Sequence, residues 1–461
     1  MKRSFHSWSN LVDLLTYFAH YPLIQTPEIL RGSIEMTTII ASYTVIPSET
    51  TPKRRLSMSE SDDIVRWAHT PIIYIYKGNH NTKKIMIKSL SDSLSKILVH
   101  YYPLAGRLNW IEGGRVELEC NAKGALLLEA ESTKTLAEFG DFSPNEPIDE
   151  LIPIVDYTQP LKEIPLLLVQ LTRFQGGKEG LTIGVSISHP LIELFKSQYP
   201  PSSPLFDHQE FNTPPLILGK SDAVGEKNKE TAVALLRLTS EQVEKLKKKT
   251  NDHSLKEGFR SYSRFEVIVA HIWRTLCMAR QLEDQQQSVV RIMVDIRRRL
   301  DPPLPSNYFG NAVFPTITPK CHTRDIISNP INYAAHMIRE GIDRLTNEYI
   351  RSQINFIRGQ EKIDSLRTVG NLNDERSKNA PFYGNPNIFA VSWMSMLWYK
   401  ADFGWGKPVY FGPGSIAFDG KAYIIQSSQE DGSIIILLRL QTAHMQIFNK
   451  LFYKDIRSSL M

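Results

Sequence analysis

Of the twelve histidines in this 461-residue chain, His189 stands where α/β proteins usually set their chemistry. It directly follows residues 181–188, a continuous apolar run that reads as a strand of a largely buried sheet, and reactive groups gather at the carboxyl ends of such strands. Near-neutral imidazole suits a general base that removes a proton from an attacking hydroxyl or amine. A packed, hydrogen-bonded structural histidine fits the same position, and the residue alone leaves both readings open. A second cluster is Asp402-Phe403-Gly404-Trp405-Gly406, two glycines around a tryptophan just after an acidic residue. It reads as a tight turn, with glycine supplying unusual backbone angles and Trp405 anchoring the loop in apolar surroundings.

What is absent narrows the chemistry. The chain contains no GxxxxGK[ST] phosphate loop, no GxGxxG after a strand, no HExxH and no GxSxG elbow, since residues 184–188 lack the final glycine. Nucleotide hydrolysis, metalloprotease and serine-hydrolase readings fall away. No metal is expected, because His189 has no neighbouring ligand at a metal-binding spacing. Cys120, Cys277 and Cys321 are odd in number and widely spaced, forming neither a disulfide framework nor a CxxC site, as in a reduced intracellular protein. The net charge of +5 is spread along the chain rather than gathered into basic and aromatic blocks, which disfavours nucleic acid and suits an anionic cofactor. No apolar run approaches the roughly 20 residues of a membrane-spanning helix, and no secretory signal is evident. The expected location is cytoplasmic.

The elements that must position these residues alternate between two periods. Residues 72–76, 115–120, 166–172 and 181–188 read as strands, and Ile87, Leu90, Leu94, Ile97, Leu98 and Tyr101 mark one face of a long helix. From about 200 to 230 the texture turns to proline, serine and charge, which reads as a linker. Beyond it lie strands at 232–238, 291–296, 422–426 and 433–440, with capping boxes at Thr239/Gln242 and Ser263/Glu266. The length and the interleaving predict two α/β units, each a mixed sheet with helices. The expected divisions are an additional N-terminal segment at 1–35, a first domain at 36–200, the linker at 201–230 and a second domain at 231–461.

Four further segments sharpen this reading: residues 102–108 (YPLAGRL), 294–300 (VDIRRRL), 308–311 (YFGN) and the DFGWG turn at 402–406. With His189 they resemble, in order, the plant acyl-CoA-dependent acyltransferases called the BAHD family. Within it the chain is similar to spermidine hydroxycinnamoyl transferases on residues 42–52, 67–77 and 207–219. The resemblance implies two chloramphenicol-acetyltransferase-like domains with the active-site channel between them, and a monomer. It implies transfer of a hydroxycinnamoyl-type group from coenzyme A to a spermidine-like amine, or to an alcohol such as shikimate. His189 would be the general base of the family's HXXXDG motif and Arg297 the partner of its aspartate. Asp402 to Gly406 would be structural, and Ser392 and Trp393 would stand near the acceptor. Acyl-CoA is then a co-substrate, with no permanently bound cofactor.

The chain departs from the family after His189. Glu193 and Leu194 stand where HXXXDG has aspartate and glycine, and only some dozen residues separate them from the DHQEF stretch at 207–211. The family places about thirty there, enough for a helix and its connections. A missing segment, and with it an impaired enzyme, is therefore the alternative expectation. Leu397 and Lys400 also replace a common proline and a common acidic residue.

Overall fold

A computed structural model of the chain describes residues 37–64, 69–78, 83–144, 146–174, 180–188, 202–252, 260–305, 308, 311–363, 366 and 381–457. Two six-stranded mixed sheets face each other. The first holds β1 (Thr37–Val45), β3 (His69–Lys77), β6 (Ala125–Ser132), β7 (Leu167–Phe174), β8 (Gly180–Ser188) and β15 (Tyr410–Pro413), in the order β1-β6-β7-β8-β3-β15. The second holds β9 (Thr231–Leu238), β11 (Val290–Asp295), β12 (Val313–Ile317), β14 (Ile388–Ser392), β16 (Lys421–Gln426) and β17 (Ile434–Gln441), in the order β12-β11-β14-β16-β17-β9. Strands β11, β14 and β16 run parallel and the rest of that sheet is antiparallel. A small sheet of β2 (Arg54–Ser57), β5 (Val116–Cys120) and β4 (Arg107–Trp110) flanks the first, and β10 (Gln287–Ser288) pairs with β13 (Cys321–His322).

The apolar pattern dictates these layers. Along β3 the side chains alternate: Ile72, Tyr74 and Tyr76 enter the core between the sheets, while Ile73 and Ile75 enter a second cluster with Leu136, Phe139 and Leu151. In the second sheet Phe389, Val391, Tyr423 and Ile425 face that same intersheet core. Their neighbours Ile388, Ala390, Ala422 and Ile424 turn to the helices Arg264–Ala279, Ile331–Asp343 and Thr442–Arg457. Burial on both faces explains why these strands read as near-continuous apolar runs. Both predicted capping boxes are formed, with Thr239 and Gln242, and Ser263 and Glu266, each exchanging backbone and side-chain bonds.

Two features depart from a simple pair of domains. Strand β15 lies in the second half of the sequence yet completes the first sheet, pairing antiparallel with β3 so that Phe411 stands opposite Tyr74. The proline-rich stretch expected as a linker is fastened down where it is described. The Ser352 hydroxyl accepts the backbone N–H groups of Leu205 and Phe206 at 2.8 and 3.2 Å, and buried Glu210 accepts from Tyr349 and Gln353. Proline and serine texture signals irregular backbone; it does not report whether distant side chains satisfy that backbone.

The DFGWG turn delivers β15. The Asp402 carboxylate accepts the N–H groups of Gly404 and Gly406 at 2.8 and 3.0 Å. Both glycines have positive φ, 93° and 87°, with open space where a Cβ would stand, so backbone conformation and not crowding requires glycine there. Phe403 and Trp405 meet Tyr76 edge-on at 6.1 and 5.7 Å, and the Tyr76 hydroxyl donates to the Ala401 carbonyl. Asp402→Ala should lose about 1–3 kcal/mol, and Gly404→Ala about 1–2 kcal/mol, both visible as lower unfolding midpoints. Asp402→Asn keeps an acceptor oxygen and should retain most of the stability and the turnover; loss of turnover at unchanged stability would contradict a structural role.

Candidate functional site

The carboxyl end of β8 is held from both sides. The Ser188 N–H donates to the Leu166 carbonyl at 2.7 Å, and across the ladder Ser188 stands opposite His69 of β3. His69 is itself a brace. Its Nε2–H donates to the Pro165 carbonyl at 2.7 Å, its Nδ1 accepts from the Tyr157 hydroxyl at 3.0 Å, and its backbone N–H donates to the Tyr157 oxygen at 2.8 Å. Burial pushes the His69 pKa down to about 4, so it is neutral at physiological pH and every ring nitrogen is used. Tyr157 also lines an open surface cavity of about 360 Å³ beside Trp110 and Lys162. Sequence reading passed over His69, although its place at the head of an apolar strand was visible.

His189 follows Ser188 and lies outside the described residues, as do Glu193 and Leu194. Arg297 lies just past β11. Its backbone N–H and Nη1 both donate to Asp295 Oδ1 at 2.9 and 3.2 Å, and its guanidinium sits 5.6 Å from the Tyr308 ring. Ser392 ends β14, and Trp393 is buried between the sheets among Trp398, Phe411 and Tyr423 at 5.0 to 5.6 Å. The DFGWG turn packs on Tyr76, seven residues along β3 from His69. At about 3.3 Å per residue that is roughly 23 Å away, too far for Asp402 to touch a group at the end of β8.

One buried arrangement looks nucleophilic and is not. Ser352 Oγ, His208 and Glu210 line up at 2.8 and 3.0 Å in the order of a hydrolase triad. The Ser352 oxygen already accepts two backbone N–H groups, and the residue is 1% exposed, so no substrate reaches it. Among the described residues no group of three His, Cys, Asp or Glu side chains could hold a metal ion. No helix of the described residues is long and apolar enough to cross a membrane.

Lys421 was not anticipated. As the first residue of β16 it is fully buried, with its ammonium 5.0, 5.3 and 5.6 Å from the rings of Phe389, Tyr423 and Phe418, and no hydrogen-bond acceptor for Nζ among the described residues. It stands beside Phe389 of β14, whose other neighbour is Arg291 of β11, so two buried cations flank one ring. The Arg439 carbonyl of β17 accepts the Gly420 N–H, and Arg439 Nη1 donates to the Thr231 hydroxyl at 2.9 Å. The nearby Asp419 carboxylate is committed to Arg280 at 2.8 Å and to the N–H groups of Asn385 and Gln441.

Burial pulls the Lys421 pKa down to about 7 from an ordinary value near 10.5. Between those values the unfolded chain binds the additional proton, so this lysine's penalty is fully present below about pH 7 and fades as pH rises towards 10. Lys421→Met should be the more stable protein at pH 6, by on the order of a few kcal/mol, with the gap narrowing at pH 9. Unfolding midpoints measured across that range check it, and a gap independent of pH would contradict it.

Comparison with known proteins places this geometry. The sequence profile of the Transferase family matches residues 35–194 and 191–455, and so breaks in two just after His189. The hydroxycinnamoyl-CoA:piscidic acid hydroxycinnamoyltransferase of Actaea racemosa is 40% identical over 454 aligned positions, covering 91% of this chain and all of the relative. Since 91% of 461 residues is about 420, roughly 34 of those positions have no counterpart in this chain. The shikimate O-hydroxycinnamoyltransferase of Nicotiana tabacum is 35% identical over 443 positions, covering 89% and 98% of the two chains. These names give acceptors other than spermidine. Among solved structures, F. sporotrichioides TRI101 complexed with coenzyme A and T-2 superposes with a TM-score of 0.66 at 16% identity, covering 86% of this chain and 97% of that one, which shows the shared two-domain α/β fold. With the family profile matched across both sheets and two relatives above 30% identity over nearly their whole lengths, this chain belongs to the Transferase family and is an acyltransferase.

Proposed function

We propose that the protein transfers a hydroxycinnamoyl group from its coenzyme A thioester to a hydroxyl of a small-molecule acceptor, with His189 as general base. The observation that carries this reading is the end of β8, where Ser188, the residue before His189 in the sequence, is braced on both sides. The imidazole takes the hydroxyl proton as the acceptor oxygen attacks the thioester carbonyl. The tetrahedral adduct then collapses, the carbon–sulfur bond breaks, and the imidazolium returns the proton to the departing thiolate. Trp393 and Ser392 belong to the acceptor side of the intersheet space, and coenzyme A is consumed as a substrate rather than held.

The acceptor is an alcohol on this account. Both relatives' names specify acceptors that are acids, piscidic acid and shikimate. The spermidine acceptor suggested by residues 42–52, 67–77 and 207–219 is therefore set second.

A separate observation favours impaired turnover. The family match breaks at residues 191–194, and roughly 34 positions of the Actaea relative lack a counterpart. Both support a reading in which a segment carrying the aspartate and glycine of HXXXDG is missing after His189.

Purified protein given p-coumaroyl-CoA with piscidic acid or shikimate should release free thiol, and His189→Ala should slow release by about 10² to 10⁴. Turnover that survives the substitution rejects His189 as the base. Inserting a relative's segment after His189 should raise kcat if the loop is incomplete; an unchanged kcat rejects that part.

A further inference from the structure

The small sheet carries at its edge a run of charge that acyl transfer does not use. Residues 53–57 read Lys-Arg-Arg-Leu-Ser, and Lys53, Arg54 and Arg55 are all exposed. Strand β2 pairs on one side only, with β5, so it is an edge strand. The Arg55 side chain is 68% exposed and reaches Glu117 at 3.2 Å, while the Arg54 guanidinium lies 5.6 Å from the Tyr102 ring. Side chains alternate along the strand, so Leu56 is buried and Ser57 shares the outer face with Arg55. Three serines follow the arginines at alternate positions, and they differ in access. Ser57 is half-buried. Ser59 is buried and exchanges bonds with Asp62 as the cap of the one-turn helix Glu60–Asp63, and Ser61 is buried and donates to the Val313 carbonyl at 3.0 Å.

That one-turn helix joins the two halves of the chain. The Ser61 carbonyl accepts from Asn311 at 2.9 Å, and Glu60 pairs with Arg358. Asp63 pairs with Arg115, whose Nη2 also donates to the Ile357 carbonyl at 3.0 Å. Ser57 adjoins this join, opposite Glu117 in the β2–β5 ladder and two residues before the Ser59 cap. Glu60, Asp62, Asp63 and Glu117 stand there against Arg55, Arg115 and Arg358, so the join is negative on balance.

We propose that Ser57 is a phosphorylation site, read by a protein kinase whose acidic groove takes arginines three and two residues before the acceptor, and that its phosphate is a charge switch at the join. Complementary charge is one way such enzymes choose among serines, and Arg54 and Arg55 hold those two places. In the transfer the Ser57 hydroxyl oxygen attacks the γ-phosphorus of magnesium-bound ATP, a carboxylate of the kinase takes the hydroxyl proton, and the bond to ADP breaks. The product carries about −1.5 to −2 charges near neutral pH. Directly opposite Glu117, in a join already negative, that charge is repulsive. Arg55 on the same face turns to the phosphate only by leaving Glu117.

The test incubates the folded, full-length protein with magnesium-ATP and the catalytic subunit of cyclic-AMP-dependent protein kinase, a probe that selects arginine at both places, and maps the phosphate by mass spectrometry. Wild type should take up phosphate on Ser57. Ser57→Ala removes the acceptor, and the double variant Arg54→Ala/Arg55→Ala keeps the serine but should slow uptake about tenfold or more. In low salt the purified phosphoprotein should unfold at a lower temperature than the unmodified protein, with the gap narrowing at high ionic strength. No phosphate on Ser57, or uptake indifferent to the two arginines, overturns the site. A phosphoprotein as stable as the unmodified one, or a gap that salt does not narrow, overturns the switch. Neither readout needs turnover, so a protein that transfers no acyl group still decides both.

Discussion

The exchange of one short strand holds this molecule together. Strand β15 leaves the second half of the chain and completes the first sheet against β3, carrying Phe411 between Tyr74 of that sheet and Trp393 and Trp398 of the segment that follows β14. Phe411 stacks on Trp398 at 4.2 Å and is fully buried. Aromatic side chains contribute large apolar areas at low entropic cost, and stacked or tilted pairs add about 0.5–1.5 kcal/mol beyond burial. The backbone ladder and these rings together fix how the sheets face each other. Everything at either end of β3 is referred to that pairing: the DFGWG turn at Tyr76, and the end of β8 at His69.

The space between the sheets is apolar in bulk and cationic in detail. Arg291 Nη1 donates to the Glu210 carbonyl and the Tyr383 hydroxyl, while Lys421 Nζ has aromatic faces and no acceptor among the described residues. In such a medium charges act strongly and are screened little by solvent. The same dryness keeps His69 neutral and lets it serve as a fixed hydrogen-bonding brace. An acyl transfer that must reach an acceptor hydroxyl before water gains from that exclusion.

Much of the scaffold was legible because its strands are buried on both faces and so stand out as apolar runs. Residues 181–188 became β8, and residues 422–426 became most of β16. Both capping boxes carried their own local hydrogen bonds and were readable for that reason. The destination of β15 was not legible, because four residues of strand do not say which sheet they join. The fastening of residues 202–230 was hidden because its partners, Ser352, Tyr349 and Gln353, lie on a helix well over a hundred residues away. Lys421 was overlooked since a lone lysine at a strand's start looks like a solvated charge; only the folded arrangement of Phe389, Phe418 and Tyr423 shows that it is enclosed. The strand end located His189, and family resemblance gave the expected role that periodicity alone left between a base and a packed histidine.

The central claim is that a coenzyme A thioester meets His189 at the end of β8. Bromoacetyl-CoA tests it most directly, since its bromomethylene carbon sits one bond from the thioester carbonyl and alkylates a nearby imidazole with loss of bromide, whether or not the chain turns over. Peptide mapping by mass spectrometry should find the label on His189, with free coenzyme A protecting it. Labelling of another residue under that protection, or none at all, would contradict the account.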